Sequence, residues 1–357
     1  MKITHVIPNL EVGGAQRLIE NLIPYFNKGN EIEVIVFQKT DSEIESNLEK
    51  LGIRIVYLDI SFRSPKAILK LRKYFKNTDI VHLHLFPVQY YSIIANIGIN
   101  KPLIFTEHST YNKRRKYKFL SYVEKVVYGK IDKIVSISKG VQANLTNWLR
   151  EKENSGRFII VENGVKPPVI KSKTKSDEYL FGREGKALIM ISRFSDSKDQ
   201  DTVVKSLKYI KDKDVFLVLV GDGYRKQEVE DLVAKESLTN RVVFLGTRND
   251  IYDLISESFI GIQSSNWEGF GLSVIEMMVG GLPVVASDIE GLRDVVEEAG
   301  ILFEKGNEKD LADKINKLLT NEQQYQLVKG QCKQRGEEYL IEKTASKYLD
   351  LYKEMIR

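Results

Sequence analysis

A chain of 357 residues with 42% hydrophobic and 29% charged residues reads as a soluble globular protein large enough for two domains of similar size. Its single cysteine, Cys332, excludes an intramolecular disulfide and a multi-cysteine metal site. The net charge of +5 hides an imbalance: residues 1–166 carry +10 and residues 167–357 carry −5, so the first half is expected to face something anionic. The apolar start KITHVI is too short for a signal peptide, and no apolar run reaches the ~20 residues of a membrane span, so a cytosolic home is expected.

Short apolar runs predict strands at 3–7, 32–37, 53–57, 80–84, 103–106, 133–137 and 158–161, separated by amphipathic stretches such as 15–26 and 65–75. Continuous apolar strands in a βαβα rhythm argue for a parallel sheet covered on both faces. At 166–177, KPPVIKSKTKSD has two prolines and little apolar content, and reads as a linker. The rhythm restarts with strands at 187–191, 215–220, 241–245, 260–263, 283–286 and 300–303, a second doubly wound sheet, and an amphipathic helix at 341–355 closes the chain. The expected domains are 1–165 and 166–340. Ligands of such sheets bind beyond the carboxyl ends of the strands, so strand-end loops are where function should lie.

In the first half, the loop after strand 3–7 carries Gly13-Gly14 and then Arg17 at a helix start, without the full G-x-G-x-x-G spacing of a dinucleotide site. His82, His84 and His108 lie at strand ends. Zinc is one reading of them, disfavoured because no cysteine accompanies them and His82 and His84 share a strand face. The stretch from Tyr111 to Lys130, YNKRRKYKFLSYVEKVVYGK, is basic with interleaved aromatics. As one helix it sets Phe119, Tyr122, Val123 and Val126 on one side. It fits either a core-facing helix with a solvated basic face or a helix lying on anionic lipid, with Arg114, Arg115 and Lys116 among its cations. Nucleic acid is not expected, since no recognition module accompanies the patch.

In the second half, Ser192-Arg193-Phe194-Ser195-Asp196-Ser197-Lys198 follows a strand. Arg193 and Lys198 are either solvated surface cations or a pair that neutralises a diphosphate. Gly221 and Gly223, and Gly246-Thr247-Arg248, fall in strand-end turns. Glu268-Gly269-Phe270-Gly271-Leu272-Ser273 opens a helix on which Glu276 lies two turns along. The glycines permit close backbone approach, a helix start favours an anion, and each carboxylate accepts two hydroxyls of a sugar or ribose. Spacing alone also fits a glycine-rich turn with two solvated glutamates.

EGFGLSVIEMMVGGLPVVAS resembles the signature of the retaining family 4 (group 1) glycosyltransferases of GT-B fold, in which two Rossmann-like domains enclose a cleft. The resemblance implies transfer of a hexose or N-acetylhexosamine from a nucleotide-sugar, UDP-linked, to a glycan such as a lipid-linked one, in capsule, exopolysaccharide or O-antigen assembly. By it, Glu268 holds the sugar, Glu276 the ribose, and the N–H groups around Phe270–Ser273 the diphosphate with Arg193 and Lys198. Family members more often have Gly-Arg and Glu-Lys-Gly where this chain has Ser192 and Asp199. Gly13 and Gly14 then approach donor phosphate and acceptor, Gly221 belongs to the donor side, Thr247 and Arg248 line the base, and His108 contacts the donor sugar near the reacting centre. His84 is read as packed or as a pocket wall. The resemblance further implies that the helix at 341–357 packs back on the first domain. It implies no metal or cofactor and no protein nucleophile, a substrate phosphate oxygen taking the acceptor proton. The same architecture also serves nucleotide-sugar epimerases, and a nucleotide-sugar-binding protein without turnover is a third reading.

Overall fold

The structure, a computed structural model, describes residues 1–60, 64–108, 113–152, 156–168 and 184–356. The chain divides into two compact units, Met1–Gly164 with Ile341–Arg357, and Val165–Leu340. Much of the expected linker, 169–177, lies outside the described residues.

The first unit is built on seven strands: β1 (Lys2–Ile7), β2 (Glu31–Val36), β3 (Arg54–Tyr57), β4 (Ile80–His84), β5 (Leu103–Glu107), β6 (Lys133–Ser136) and β7 (Phe158–Ile160). They pair in the order β3-β2-β1-β4-β5-β6-β7, every pair parallel. Alternation along the strands feeds two cores. Ile3, Ile7, Ile80 and Ile104 face one, which also takes Phe26 from helix Gly14–Phe26 and Tyr348 and Tyr352 from helix Ile341–Ile356. Val6, Val81, Leu83 and Phe105 face the other.

The second unit holds β8 (Lys186–Ile191), β9 (Val215–Val220), β10 (Val242–Gly246), β11 (Ile260–Gln263), β12 (Val284–Ser287) and β13 (Ile301–Phe303). Their order is β10-β9-β8-β11-β12-β13, again all parallel. β9 and most of β8 are fully buried, as strands covered by helices on both faces must be. In each unit the strand order reverses beside the first strand, between β1 and β4 and between β8 and β11. Loops leaving such a pair diverge to opposite faces and open a crevice. No helix among the described residues is long and apolar enough to cross a membrane.

Candidate active site

The crevice of the second unit lies between the loop after β8, which carries Arg193 and Lys198, and the loop after β11, which carries Glu268. The two loops are stitched together. Asn266 N–H donates to the Ser197 carbonyl at 2.8 Å and its side-chain amide to the Asp196 carbonyl at 2.9 Å. Asp199 N–H donates to the Ser264 carbonyl, and Ser264 Oγ donates back to the Asp199 carboxylate at 3.1 Å. Asp199 also caps helix Gln200–Ser206 by accepting from Thr202 N–H. This residue, which departs from the commoner family pattern, therefore holds the backbone path by its own bonds.

The stitching delivers Lys198 to Glu268. Their charged ends form an ion pair, both side chains largely shielded from solvent, and Lys198 Nζ also reaches Ser265 Oγ at 3.4 Å. Arg193 is exposed, its guanidinium without a partner among the described residues, while buried Gln200 donates to its carbonyl at 3.1 Å. One cation is thus held by a carboxylate and one is available to a ligand.

Glu268 is fixed from behind by a residue the sequence reading passed over. A Cβ at Gly291, in helix Glu290–Val296, would come within 1.9 Å of the Glu268 carbonyl oxygen, so only glycine lets that helix pack there. Beyond Glu268, Gly271 takes a left-handed conformation (φ 79°) and sets up helix Leu272–Val279. The N–H groups of Phe270, Gly271, Leu272 and Ser273 have no acceptor among the described residues and so are open to an anion. Gly269 N–H lies 3.3 Å from the Glu268 carboxylate. Phe270 is buried against the Tyr339 ring, and Ser273 Oγ donates to Gln263 Oε1 at 2.9 Å. Gln263 belongs to a buried chain in which its amide donates to Ser265 Oγ and Ser287 Oγ donates to its carbonyl. Glu276, partly exposed, has no hydrogen-bond or ion-pair partner among the described residues, and burial of its carboxyl by surrounding protein pushes its pKa up to about 7.

Gly221 (φ 131°) has a structural duty: a Cβ there would meet the Ser192 carbonyl oxygen at 2.2 Å, so glycine lets the β9 loop lie against the Arg193 loop. Thr247 is exposed at the end of β10. Arg248 is gripped by Asp250 through two hydrogen bonds, at 2.8 and 2.5 Å, so its side chain is committed locally. These loops leave the same end of the sheet as Arg193 and Glu268.

In the first unit, Gly13 caps helix Gly14–Phe26 in an extended conformation, and a Cβ on Gly14 would meet open space. Arg17 is held by Glu20 at 2.8 Å and Glu43 at 2.9 Å. His84 and His108 come together as reading along the strands suggests, but with an unforeseen partner, His5 of β1, paired in register with His82. No pattern around His5 marks it; only the sheet order reveals it. His5 Nδ1 and His84 Nε2 are 3.0 Å apart, and His84 Nδ1 and His108 Nε2 are 3.5 Å apart. His82 is hydrogen-bonded at both ring nitrogens, to Tyr352 and Thr106 hydroxyls, each at 2.7 Å. Burial pushes all four imidazoles down, His5 to about 3, His108 to about 4, and His82 and His84 well below their usual value, neighbouring histidines adding to the last two. Ring nitrogens of His5, His82 and His84 lie within 4.8 Å of one another. A metal there would have to displace the hydroxyl bonds of His82 and the bond between His5 and His84.

The basic aromatic stretch needs correction. Tyr111 and Asn112 lie outside the described residues, and the rest is not one helix but a 3₁₀ turn, Lys113–Lys116, followed by helix Leu120–Tyr128. The apolar side of that helix faces outward, against the core-facing reading. Ser121, Glu124 and Tyr128 are buried, while Phe119 just before it and Tyr122, Val123 and Val126 stand 66%, 60%, 48% and 68% exposed. Buried Glu124 accounts for this, since it gathers Arg114, the Tyr90 hydroxyl at 3.2 Å and the Trp148 indole N–H at 2.7 Å. Arg114 therefore turns inward. Arg115 does so too, reaching Glu107 at 3.4 Å. Among the described side chains of this stretch, the cations that face solvent are Lys116, Lys118, Lys125 and Lys130.

Comparison with known proteins agrees with this architecture. Residues 12–167 match Glycosyltransferase Family 4, and residues 171–335 match Glycosyl transferases group 1. An uncharacterized glycosyltransferase of Methanocaldococcus jannaschii is 26% identical over 356 residues, spanning 96% of this chain and 95% of that protein. The N-acetylgalactosamine-N,N'-diacetylbacillosaminyl-diphospho-undecaprenol 4-alpha-N-acetylgalactosaminyltransferase of Campylobacter jejuni is 25% identical over 383 residues, 98% of this chain and 99% of that one. The crystal structure of Anabaena HepE in complex with UDP and glucose superposes with a TM-score of 0.85 at 20% identity, covering 99% of this chain and 100% of that one. The two parallel sheets are those of the GT-B fold, and with both halves matched to families of one enzyme class, the chain belongs to the family 4, group 1 glycosyltransferases.

Proposed function

We propose that this glycosyltransferase moves a hexose or N-acetylhexosamine from a UDP-sugar to a lipid-linked glycan in surface polysaccharide assembly, with retention at the anomeric carbon and without a metal. The observation that carries the donor side is the grouping of Arg193, Lys198, Glu268, Glu276 and open helix-start N–H groups around one strand-order reversal. Departure of the diphosphate breaks the bond between the anomeric carbon and the phosphate oxygen, and the electron pair goes to that oxygen. Arg193, Lys198 and the N–H groups of Phe270–Ser273 stabilise the charge that develops, which is the work a metal would otherwise do. The acceptor oxygen bonds to the same face of the carbon, and its proton passes to the leaving phosphate oxygen. Glu268 accepts from sugar hydroxyls, Glu276 from the ribose, and His108 contacts the sugar. HepE holding UDP and glucose supports the donor class, and the Campylobacter relative supports a lipid-linked acceptor.

Incubating purified protein with labelled UDP-sugars, with and without undecaprenyl-diphosphate glycans, tests this. Product on the lipid, unaffected by a chelator, is expected. A converted UDP-sugar would mean epimerisation, binding without turnover would mean a sensor, and loss of transfer on chelation would defeat metal independence.

The acceptor side of the proposal includes docking at the inner, anionic face of the cytoplasmic membrane. The support is helix Leu120–Tyr128 and the residue before it: apolar residues face out, with exposed lysines beside them to meet lipid phosphate. Liposome flotation should recover the protein with anionic but not neutral lipid. Recovery unchanged by joint Phe119→Ser and Val126→Ser replacement, or by removal of Lys116 and Lys118, would refute it.

A further inference from the structure

The chain has four histidines, and all four meet on one face of the first sheet. Strand alternation puts His5, His82, His84 and Thr106 on the face covered by helices Gly14–Phe26 and Ile341–Ile356, and His108 continues that row past the end of β5. His82 is pinned by the Tyr352 and Thr106 hydroxyls, and Tyr348 in turn reaches Thr106 Oγ at 3.2 Å. Its ring lies 4.0 Å, centroid to centroid, from that of His84 and so fixes one wall of the cluster.

The other three rings form a chain. His84 uses both nitrogens, Nε2 toward His5 Nδ1 and Nδ1 toward His108 Nε2. At the inner end, His5 Nε2 is shut away from solvent without a partner among the described residues. At the outer end, His108 is partly exposed and its Nδ1 has no partner among the described residues. A neutral imidazole has one ring proton, and each contact needs one. Only two arrangements satisfy both contacts. Either every proton sits on Nδ1 and the chain donates outward, or every proton sits on Nε2 and it donates inward. The inward arrangement leaves His5 with a buried N–H that no described residue accepts. Buried N–H groups without acceptors are rarer than buried acceptors short of a donor, so the outward arrangement is favoured.

We propose that His5 and His84 are positioning residues that lock His108 in its Nδ1–H tautomer, so that it offers the transferred sugar a hydrogen-bond donor. The consequence for the reaction, which rests on the reading that His108 contacts the sugar, is that His108 holds a sugar oxygen and does not take the acceptor proton. An isolated imidazole exchanges tautomers freely, whereas here one exchange requires three rings to change together.

The test is nitrogen-15 NMR of the histidine-labelled free protein, where four imidazoles give a readable spectrum and His108→Gln assigns one of them. His108 is expected as a single Nδ1–H tautomer, constant from about pH 6 to 8. In His84→Phe it should average between tautomers, and kcat should fall roughly tenfold with the KM for the donor little changed, as when one aligned donor is lost. His5→Phe should do the same, while His5→Asn, whose amide can donate near the place of Nδ1, should restore both the tautomer and kcat. The His5 pair decides the matter if His84→Phe does not fold. An Nε2–H tautomer in the native protein, or an unchanged His108 signal in His84→Phe and His5→Phe, would overturn the proposal. A locked tautomer with transfer intact in His108→Gln would instead leave the lock standing and remove His108 from the sugar site.

Discussion

Lys198 and Glu268, 70 residues apart in sequence, form an ion pair at the mouth of the second sheet. The cation assigned to the diphosphate and the carboxylate assigned to the sugar are thus each other's partner before any donor arrives. On the proposed donor site, a diphosphate would share Lys198 with Glu268. Glu268→Ala should therefore raise affinity for bare UDP by roughly two- to tenfold, because it frees a cation, while it abolishes preference among UDP-sugars. Lys198→Ala should lower transfer by about 10²–10³-fold. Calorimetric titration with UDP and with UDP-sugars checks the first effect. If UDP affinity collapses in Glu268→Ala, the division of duties is wrong.

Glu276 sets a pH dependence. Burial raises its carboxyl above the usual range, to about 7. The folded chain thus gains stability from this group only while it is protonated, fully below about 4.5 and progressively less as pH rises toward 7. A ribose that donates two hydroxyls needs the carboxylate. UDP affinity should rise up to about tenfold per pH unit below 7 and level off above it, with a proton released on binding. Glu276→Gln should flatten the profile. Proton release absent in buffers of different ionisation enthalpy would remove Glu276 from the ribose.

The histidine cluster sets the opposite trend for stability. These groups have folded pKa values below their unfolded value near 6.5. Stability is complete above that value and is lost as pH falls from it, because the unfolded chain takes up protons that the folded one refuses. The loss is up to roughly 1.4 kcal/mol per pH unit per histidine. Urea midpoints should drop between about pH 7 and 5, and by less in His5→Phe. An identical drop in that variant would mean that the acid sensitivity lies elsewhere.

Gly291 should tolerate no side chain. Its Cβ would fall 1.9 Å from the Glu268 carbonyl oxygen, which is backbone and cannot swing aside. Gly291→Ala should cost about 1–3 kcal/mol and displace Glu268, so transfer suffers more than UDP binding does. Thermal melts and donor kinetics measure both. Unchanged values in each would show that the helix can shift without consequence.

The alternation of strands and helices, the two doubly wound sheets and the placing of EGFGLSVIE at a helix start were legible in the sequence, because periodicity, glycine and helix-start chemistry are local properties. Position and charge marked Glu268, Glu276, Arg193 and Lys198 as candidates but fitted solvated surface groups as well, and their roles came from the resemblance to the family 4 signature. Tertiary structure alone joined Lys198 to Glu268, put Gly291 behind it and brought His5 to His84, since those distances depend on strand order. It also chose between the two readings of helix Leu120–Tyr128, turning the apolar side outward. The sequence shows that the helix has an apolar side, but buried Glu124, with Arg114, Tyr90 and Trp148 around it, decides which side faces out. Amphipathicity has an axis in the sequence; its direction comes from the neighbours that satisfy a buried charge.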